Sequence, residues 1–162
     1  VNINKMFPSI KKNKVSEVKI FPECDYKLNF DGCSKGNPGL AGAGAVIYNF
    51  GQEYWSNYFF VGEKFTNNHA EYAGLILGLQ QAKEFGIKNL TVEGDSLLVI
   101  NQMKGTYKCN SENLIDLYKR AKELETYFDK IEFIHVLRNK NKRADELSNM
   151  AIVDYTNNIE KK

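Results

Sequence analysis

Four acidic residues stand where the local pattern makes acids expensive. Asp31 closes the alternation Lys27-Leu28-Asn29-Phe30-Asp31 and shares a strand face with Asn29. Asp95 closes a second run, Leu90-Thr91-Val92-Glu93, and shares its face with Thr91 and Glu93. Two strands of one sheet thus each carry a polar row that terminates in an Asp. Glu71 falls in the first turn of a long helical stretch, on the stripe it shares with Leu75 and Gly78. That stripe faces the core rather than the solvent. Asp145 opens a last helix beside Ala144 and Leu147. Singly, each has an ordinary explanation. A first-turn Glu favours the helix dipole, a strand-end Asp makes a turn, and Asp145 pairs with Asn141 as a cap. Together they point elsewhere, because neighbouring carboxylates repel unless a cation holds them. An all-oxygen ligand set suits hard ions such as Mg²⁺ or Mn²⁺ rather than zinc. Two such ions about 4 Å apart activate a water and stabilise the leaving oxygen of a phosphodiester.

The elements that carry these acids are legible from period and punctuation. A strand ending at Asp31 is followed by a Gly/Pro-punctuated loop, DGCSKGNPG. GAGAVIYNF and EYWSNYFFV read as two further strands that turn near Asn49-Phe50-Gly51-Gln52. From Asn68 to about Phe85 the period becomes helical, with Leu75, Ile76, Leu79 and Ala82 inward, Thr66 or Asn67 as cap and Gly86 as stop. Leu90–Glu93 forms a short strand, Ser96 to about Met103 a helix, and Glu112–Phe128 another. Ile131–Leu137 is a last strand and Asn141–Asp154 a last helix. The order implies an α/β fold: a mixed five-stranded sheet, three antiparallel strands and then two parallel ones, flanked by helices. Residues 1–24 are rich in Lys and Asn, contain Pro8 and Pro22 and show no period, so they read as an irregular or partly disordered extension. The domain occupies 25–162.

Composition bounds the reading. The chain has 162 residues, 43% of them hydrophobic, enough for one ordinary core. Its 22 basic and 20 acidic residues nearly balance, so any footprint for a polyanion must be local. The local clusters are Lys11/Lys12/Lys14, Lys119/Arg120/Lys122 and Arg138/Lys140/Lys142/Arg143, of which the first two read best as solvated faces. Cys24, Cys33 and Cys109 are odd in number and without paired spacing, which suggests neither a disulfide framework nor a zinc site and implies a reducing, intracellular setting. No apolar stretch approaches the ~20 residues of a membrane span, and VNINKMFPSIKKNK lacks the apolar core of a secretory signal. The first residue is Val rather than Met, which leaves a larger parent polypeptide open.

Four motifs in register resemble a known family, the type 1 ribonucleases H: DGCSKGNPG (Asp31–Gly39), TNNHAE (Thr66–Glu71), EGDS (Glu93–Ser96) and HVLRNKNKRADELSNMA (His135–Ala151). The resemblance covers about residues 26–155. It implies a ribonuclease H-like fold in which Asp31, Glu71, Asp95 and Asp145 are the catalytic metal ligands for two Mg²⁺ ions, with Mn²⁺ able to substitute. It implies substrate contacts from Gly32, Asn37, Asn67, Asn68, Ser96 and Arg138, with the RNA 2′-hydroxyls read across the minor groove of an RNA–DNA hybrid. The 2′-hydroxyl is the group by which a protein tells RNA from DNA. The activity implied is hydrolysis of the RNA strand of such hybrids by a monomer, leaving 5′-phosphate and 3′-hydroxyl ends. Some bacterial members carry a histidine in a longer loop before the last helix, and a basic helical handle. Here the loop Arg138–Lys140 has no histidine, and Gly105–Asn110 joins the middle helices directly, as in archaeal and plant-type members. His135 alternates with Phe133 and Leu137 and reads as structural, while His69 reads equally as a substrate contact or a surface residue. Three rivals remain: a hybrid-binding module with weak or lost catalysis, another nuclease of the superfamily, and a structural subunit presenting Tyr54-Trp55-Tyr58-Phe59-Phe60.

Overall fold

The computed structural model describes residues 25–161 of the chain. The Lys/Asn-rich stretch 1–24, with Lys11, Lys12, Lys14 and Cys24, lies outside the described residues. The first three strands are β1 (Tyr26–Lys35), β2 (Gly39–Asn49) and β3 (Gln52–Phe65). Phe50 and Gly51 both adopt positive φ, 51° and 78°. A two-residue hairpin needs that geometry for its turn to follow the strands' twist.

One expectation is corrected here. Asp31 does not end β1, and DGCSK is not loop. The strand runs on to Lys35, pairing Asp31 with Gly44, Cys33 with Gly42 and Lys35 with Leu40. Small and polar residues look like punctuation locally, yet β2 offers an unbroken antiparallel ladder and pairing overrides propensity. Only Gly36-Asn37-Pro38 remains as the connection, with Gly36 at φ 121° and Asn37 at φ 34°.

Helix α1 (Asn67–Glu84) is capped by Thr66, whose hydroxyl accepts from the His69 N–H at 3.2 Å. It ends before Gly86, at φ 77°. β4 (Asn89–Gly94) then runs parallel to β1. α2 (Leu97–Lys104) is capped by Ser96 and closed by a left-handed Gly105. α3 (Ile115–Glu125) is shorter than Glu112–Phe128. Its N-cap position is Leu114, which has no capping side chain, and the Thr126 hydroxyl turns back to the Glu123 carbonyl at its end. β5 (Lys130–His135) lies parallel to β4, and a 3₁₀ turn (Arg138–Lys140) leads to α4 (Lys142–Glu160). α4 runs past Asp154 because that half is tied to β3. Tyr155 stacks on Phe60 and hydrogen-bonds Glu63, and Tyr58 donates to Asp154.

The sheet order is β3-β2-β1-β4-β5. The main core, including Leu28, Phe30, Ile47, Leu75, Leu79, Val92, Ile100 and Leu117, fills one face against α1, α2 and α3. α4 covers β1, β2 and β3 on the other face. It comes so close that a Cβ at Gly42 would lie 2.2 Å from the Ser148 carbonyl oxygen. The aromatic run on β3 is spent on packing: Tyr54, Trp55 and Phe59 against the main core, Tyr58 and Phe60 toward α4. The strand expected over Ile131–Leu137 ends at His135, and of Phe133, His135 and Leu137 only Phe133 is buried. Pairing with β4 ends at His135, so the chain leaves the sheet with His135 and Leu137 exposed. Among the described residues, no helix is long and apolar enough to cross a membrane.

Candidate active site

Two glycines decide how the acids meet. A Cβ at Gly32 would sit 2.1 Å from the carbonyl carbon of Ala70, and one at Gly74 would sit 2.4 Å from the carbonyl oxygen of Asp31. Bare backbone at both positions lets the first turns of α1 press directly onto β1. Glu71 is thereby delivered to Asp31. Asp95, in the bend after β4, is brought beside them by the parallel pairing of β4 with β1. One carboxylate oxygen from each of Asp31, Glu71 and Asp95 lies within 4.8 Å of the others.

The electrostatics are those of a cluster short of positive charge. Asp31 is 4% exposed and Glu71 8%. Burial, with the charges of Asp95 and Asp145 behind it, raises the Asp31 pKa to about 7, although hydrogen bonds from Glu71 and from the Gly32 N–H at 2.9 Å pull the other way. Burial and the adjacent Asp31 push Glu71 well above the usual carboxylate range. Asp95 is raised by burial and by Asp145, against lowering from an Asn141 hydrogen bond and the Arg138 charge. Glu71 Oε2 is buried without a hydrogen-bond partner. Carboxylates whose charged forms are disfavoured by burial and by one another, together with an orphaned buried oxygen, are what a hard divalent cation relieves. These residues fit such an ion.

A family model described as Reverse transcriptase-like matches residues 29–151. Ribonuclease HI of Halobacterium salinarum is 40% identical over 125 residues, which are 77% of this chain and 63% of that protein. The crystal structure of RNase H1 from the same archaeon superposes with a TM-score of 0.76 at 39% identity, covering 80% of this chain and 98% of that one. The chain belongs to the type 1 ribonuclease H family. LC11-RNase H1, solved in complex with an RNA/DNA hybrid, is 33% identical with a TM-score of 0.77, covering 82% of this chain and 99% of that one. The Bifunctional protein Rv2228c of Mycobacterium tuberculosis is 40% identical over 127 residues, 77% of this chain but 35% of its own length. The chain therefore spans less than two thirds of the curated relatives it matches first.

Within this ribonuclease H domain the fourth acid stands apart from the other three. Asp145 lies in the first turn of α4 with its side chain 30% exposed, and its Oδ1 is 3.6 Å from Arg138 Nη2 and 3.3 Å from Asn149 Nδ2. Its charge is nevertheless felt at Asp31 and Asp95.

The residues expected to meet substrate fall into two groups. Asn37 and Asn67 lace the β1–β2 connection to the start of α1: Asn37 Oδ1 accepts from Asn67 N at 3.0 Å, and Asn67 Oδ1 from Ser34 N at 2.7 Å. Both are exposed, as are Asn68 and Arg138, the latter with 80% of its side chain in solvent. Gly32 and Ser96 are committed within the fold. The Gly32 N–H binds Asp31, and the Ser96 hydroxyl accepts from Val99 N. His69 is half-buried against Phe65, and burial lowers its pKa. On α3, Arg120 and Lys122 pair with Glu123 and Glu125, a solvated helix face.

Sequence reasoning missed one network. Asn141 is 2% exposed and does not cap α4. Its Nδ2 donates to the Phe30 carbonyl at 2.9 Å, its Oδ1 accepts from Asn29 Nδ2 at 3.1 Å, and it also hydrogen-bonds Asp95. An Asn just before a helix reads as a cap. Only the pairing of β1 with the incoming α4 turns it inward.

Proposed function

We propose that this domain hydrolyses the RNA strand of RNA–DNA hybrids in a divalent-metal-dependent endonuclease reaction, leaving 5′-phosphate and 3′-hydroxyl ends. The observation that carries the reading is the convergence of three carboxylate oxygens within 4.8 Å, two of them on buried residues. Asp31, Glu71 and Asp95 would hold the metal, and Asp145 would complete the set from α4. When bound, two Mg²⁺ ions, or Mn²⁺ in their place, would supply Lewis-acid stabilisation of phosphodiester oxygens and a more acidic water.

The protein's own contribution is placement. Asp31 is fixed by the Gly32 N–H and by its ladder pairing with Gly44 of β2, one residue past the end of the β1–β4 ladder. Asn141 orients Asp95, and Asn149 with Arg138 orients Asp145. Asn37, Asn67 and Asn68 present short polar groups at the rim, the kind that read 2′-hydroxyls in a minor groove. Gly32 acts by the space it leaves and Ser96 by holding the start of α2. Arg138 offers an exposed charge to a phosphate. The hybrid-bound relative supports the substrate class. We take residues 25–162 as the catalytic unit, 1–24 as an extension, and the active species as a monomer, because one chain supplies every acid. The thiols of Cys33 and Cys109 are free, in keeping with a reducing interior of the cell. The test is cleavage of an end-labelled RNA–DNA hybrid with Mg²⁺ or Mn²⁺, with duplex DNA as the control that stays intact. Binding of the hybrid without cleavage in either metal would leave only a binding module.

A further inference from the structure

We propose that Asn149 is the positioning residue that aims Asp145 at the other acids, and that the Cys33 thiol sets Asn149 from the strand that carries Asp31. This role presupposes the hydrolase reading above, in which Asp145 completes the acidic set.

Asp145 has the furthest to come. Asp31, Glu71 and Asp95 already converge, with one oxygen from each within 4.8 Å, and Asp145 is not among them. It is carried by a different element, α4, with 30% of its side chain exposed. A carboxylate that free has several rotamers open to it, and only some turn an oxygen toward the cluster. Something must hold it.

Two side chains reach it, and they are not equivalent. Arg138 Nη2 lies 3.6 Å from Oδ1, too long for a hydrogen bond, on a side chain 80% exposed. Such a pair constrains geometry weakly. Asn149, half-buried one turn along α4, donates from Nδ2 to the Asp145 carbonyl at 2.9 Å and to Oδ1 at 3.3 Å. The buried Ser148 hydroxyl donates to the same carbonyl at 2.8 Å. One amide thus ties the Asp145 carboxylate to its own backbone. Arg138 and Asn149 both take Oδ1, so Oδ2 is left without a partner among the described residues. That oxygen is the one free to face a cation.

The amide is itself set from β1. Cys33 Sγ lies 3.8 Å from Asn149 Oδ1, with the thiol donating. Exchanging the amide's oxygen and nitrogen would set oxygen against both Asp145 oxygens and nitrogen against the thiol hydrogen, so these contacts fix its sense. Ser148 stands beside the same thiol. Cys33 therefore meets both of the residues that hold Asp145. Bare backbone permits this approach: Cys33 pairs with Gly42, where a Cβ would come 2.2 Å from the Ser148 carbonyl oxygen. Cys33 and Asp31 share a face of β1 two residues apart, about 7 Å. One strand thus carries an acid of the cluster and, two positions on, the group that registers the helix bearing another. Hydrogen bonds behind a metal-binding carboxylate are typically worth roughly 10- to 100-fold in metal affinity or activity. A thiol is a weak donor, so the share of Cys33 is the smaller.

The experiment compares Asn149→Ala, Cys33→Ala, Cys33→Ser and the double variant Cys33→Ala/Asn149→Ala in the full chain, by hybrid cleavage and by calorimetric titration with Mg²⁺ alone. Asn149→Ala should lower kcat about tenfold or more, with KM for the hybrid in place and Mg²⁺ affinity several-fold weaker. Cys33→Ala should act in the same sense but less, and Cys33→Ser, which keeps a donor, should recover most of the loss. Because the thiol works through the amide, the double variant should be no worse than Asn149→Ala. A purely structural role would lower the Tm of the variants and leave kcat and Mg²⁺ affinity where they were, and that result would overturn the assignment. So would a Cys33→Ala loss as large in the Asn149→Ala background as in the parent. A parent chain that cuts no hybrid would refute the hydrolase reading, while the Mg²⁺ titration still judges the aiming of Asp145 by itself.

Discussion

Asp31 with Glu71, and Asp145 with Arg138, are two halves of one acidic set built on opposite terms. The first pair is buried, wedged together by bare backbone at Gly32 and Gly74, and burial with mutual repulsion raises the pKa of both acids. The second is part-exposed, and its acid already has a guanidinium at 3.6 Å. The interior pair carries an unfavourable free energy in the metal-free fold, which a bound cation would relieve. The outer pair sits near neutrality whether or not a cation is present. Affinity for the ion should thus originate at the buried half, while the outer half adjusts charge and geometry.

The largest effect expected from that contrast is at Asp31→Asn. If Asp31 holds the metal as proposed, its loss should lower hybrid cleavage by about 10³-fold or more, on the order of 4 kcal/mol of lost transition-state stabilisation. The metal-free protein should melt higher, since the most costly buried charge is gone. Cleavage within tenfold of the parent would remove Asp31 from the chemistry. At Asp145→Asn we expect a fall of about 10²-fold with hybrid binding retained and a Tm within one or two degrees of the parent, because an exposed ion pair contributes ~1 kcal/mol at most. The contrast is broken if Asp145→Asn raises the metal-free Tm as much as Asp31→Asn does.

A smaller effect follows from pH. The Asp31 carboxyl has its folded pKa raised to about 7 from 3.8. A raised pKa means the folded state binds the proton more tightly, so its stabilising contribution is complete below the unfolded value and is lost as pH rises through 7. Melting in chelator should therefore fall by several degrees between pH 5 and pH 8, reflecting on the order of 1–3 kcal/mol. Mg²⁺ should oppose that loss most strongly at pH 8, where the ligands are deprotonated. A metal-free Tm that rises over this range would show that the pair is not under the strain described.

How much of this could be read in the sequence divides along the same line. Polarity on a strand face and Glu71 on a core stripe placed the acids without any coordinates, because periodicity reports which side a residue faces. The Phe50-Gly51 turn and the Thr66 cap were legible for the same local reason. The continuation of β1 through Lys35 was not, since Gly32, Cys33 and Ser34 resemble loop until β2 is laid beside them. Nor was the role of Gly32, whose missing side chain matters only once α1 presses on it. Asn141 was misread as part of a helix cap because its partners, Asn29 and Phe30, lie more than a hundred positions away. Local chemistry is written in neighbours, and close approach is not.

The smallest effect is the one that decides what the outer half does, and it is read in Arg138→Ala. Arg138 has two possible tasks: contacting a phosphate of the hybrid, or serving as the standing counter-charge of Asp145 and Asp95. At 80% exposure and 3.6 Å from Asp145, its pairing should be worth little to stability, and the Tm should move by no more than a degree or two. If it contacts a phosphate, KM for the hybrid should rise several-fold and the log–log salt slope should fall by about one, with the pH profile in place. If it is a counter-charge, KM and slope should hold. In that case the ionisation limb of kcat should move to higher pH, because Asp95 loses a cation that lowers its pKa. Arg138→Lys separates the tasks further, since a lysine keeps the charge for a phosphate but not the planar fork that holds a carboxylate. We expect the KM and salt-slope outcome, with Lys recovering most of it, because a side chain this exposed faces the solvent side where a polyanion arrives.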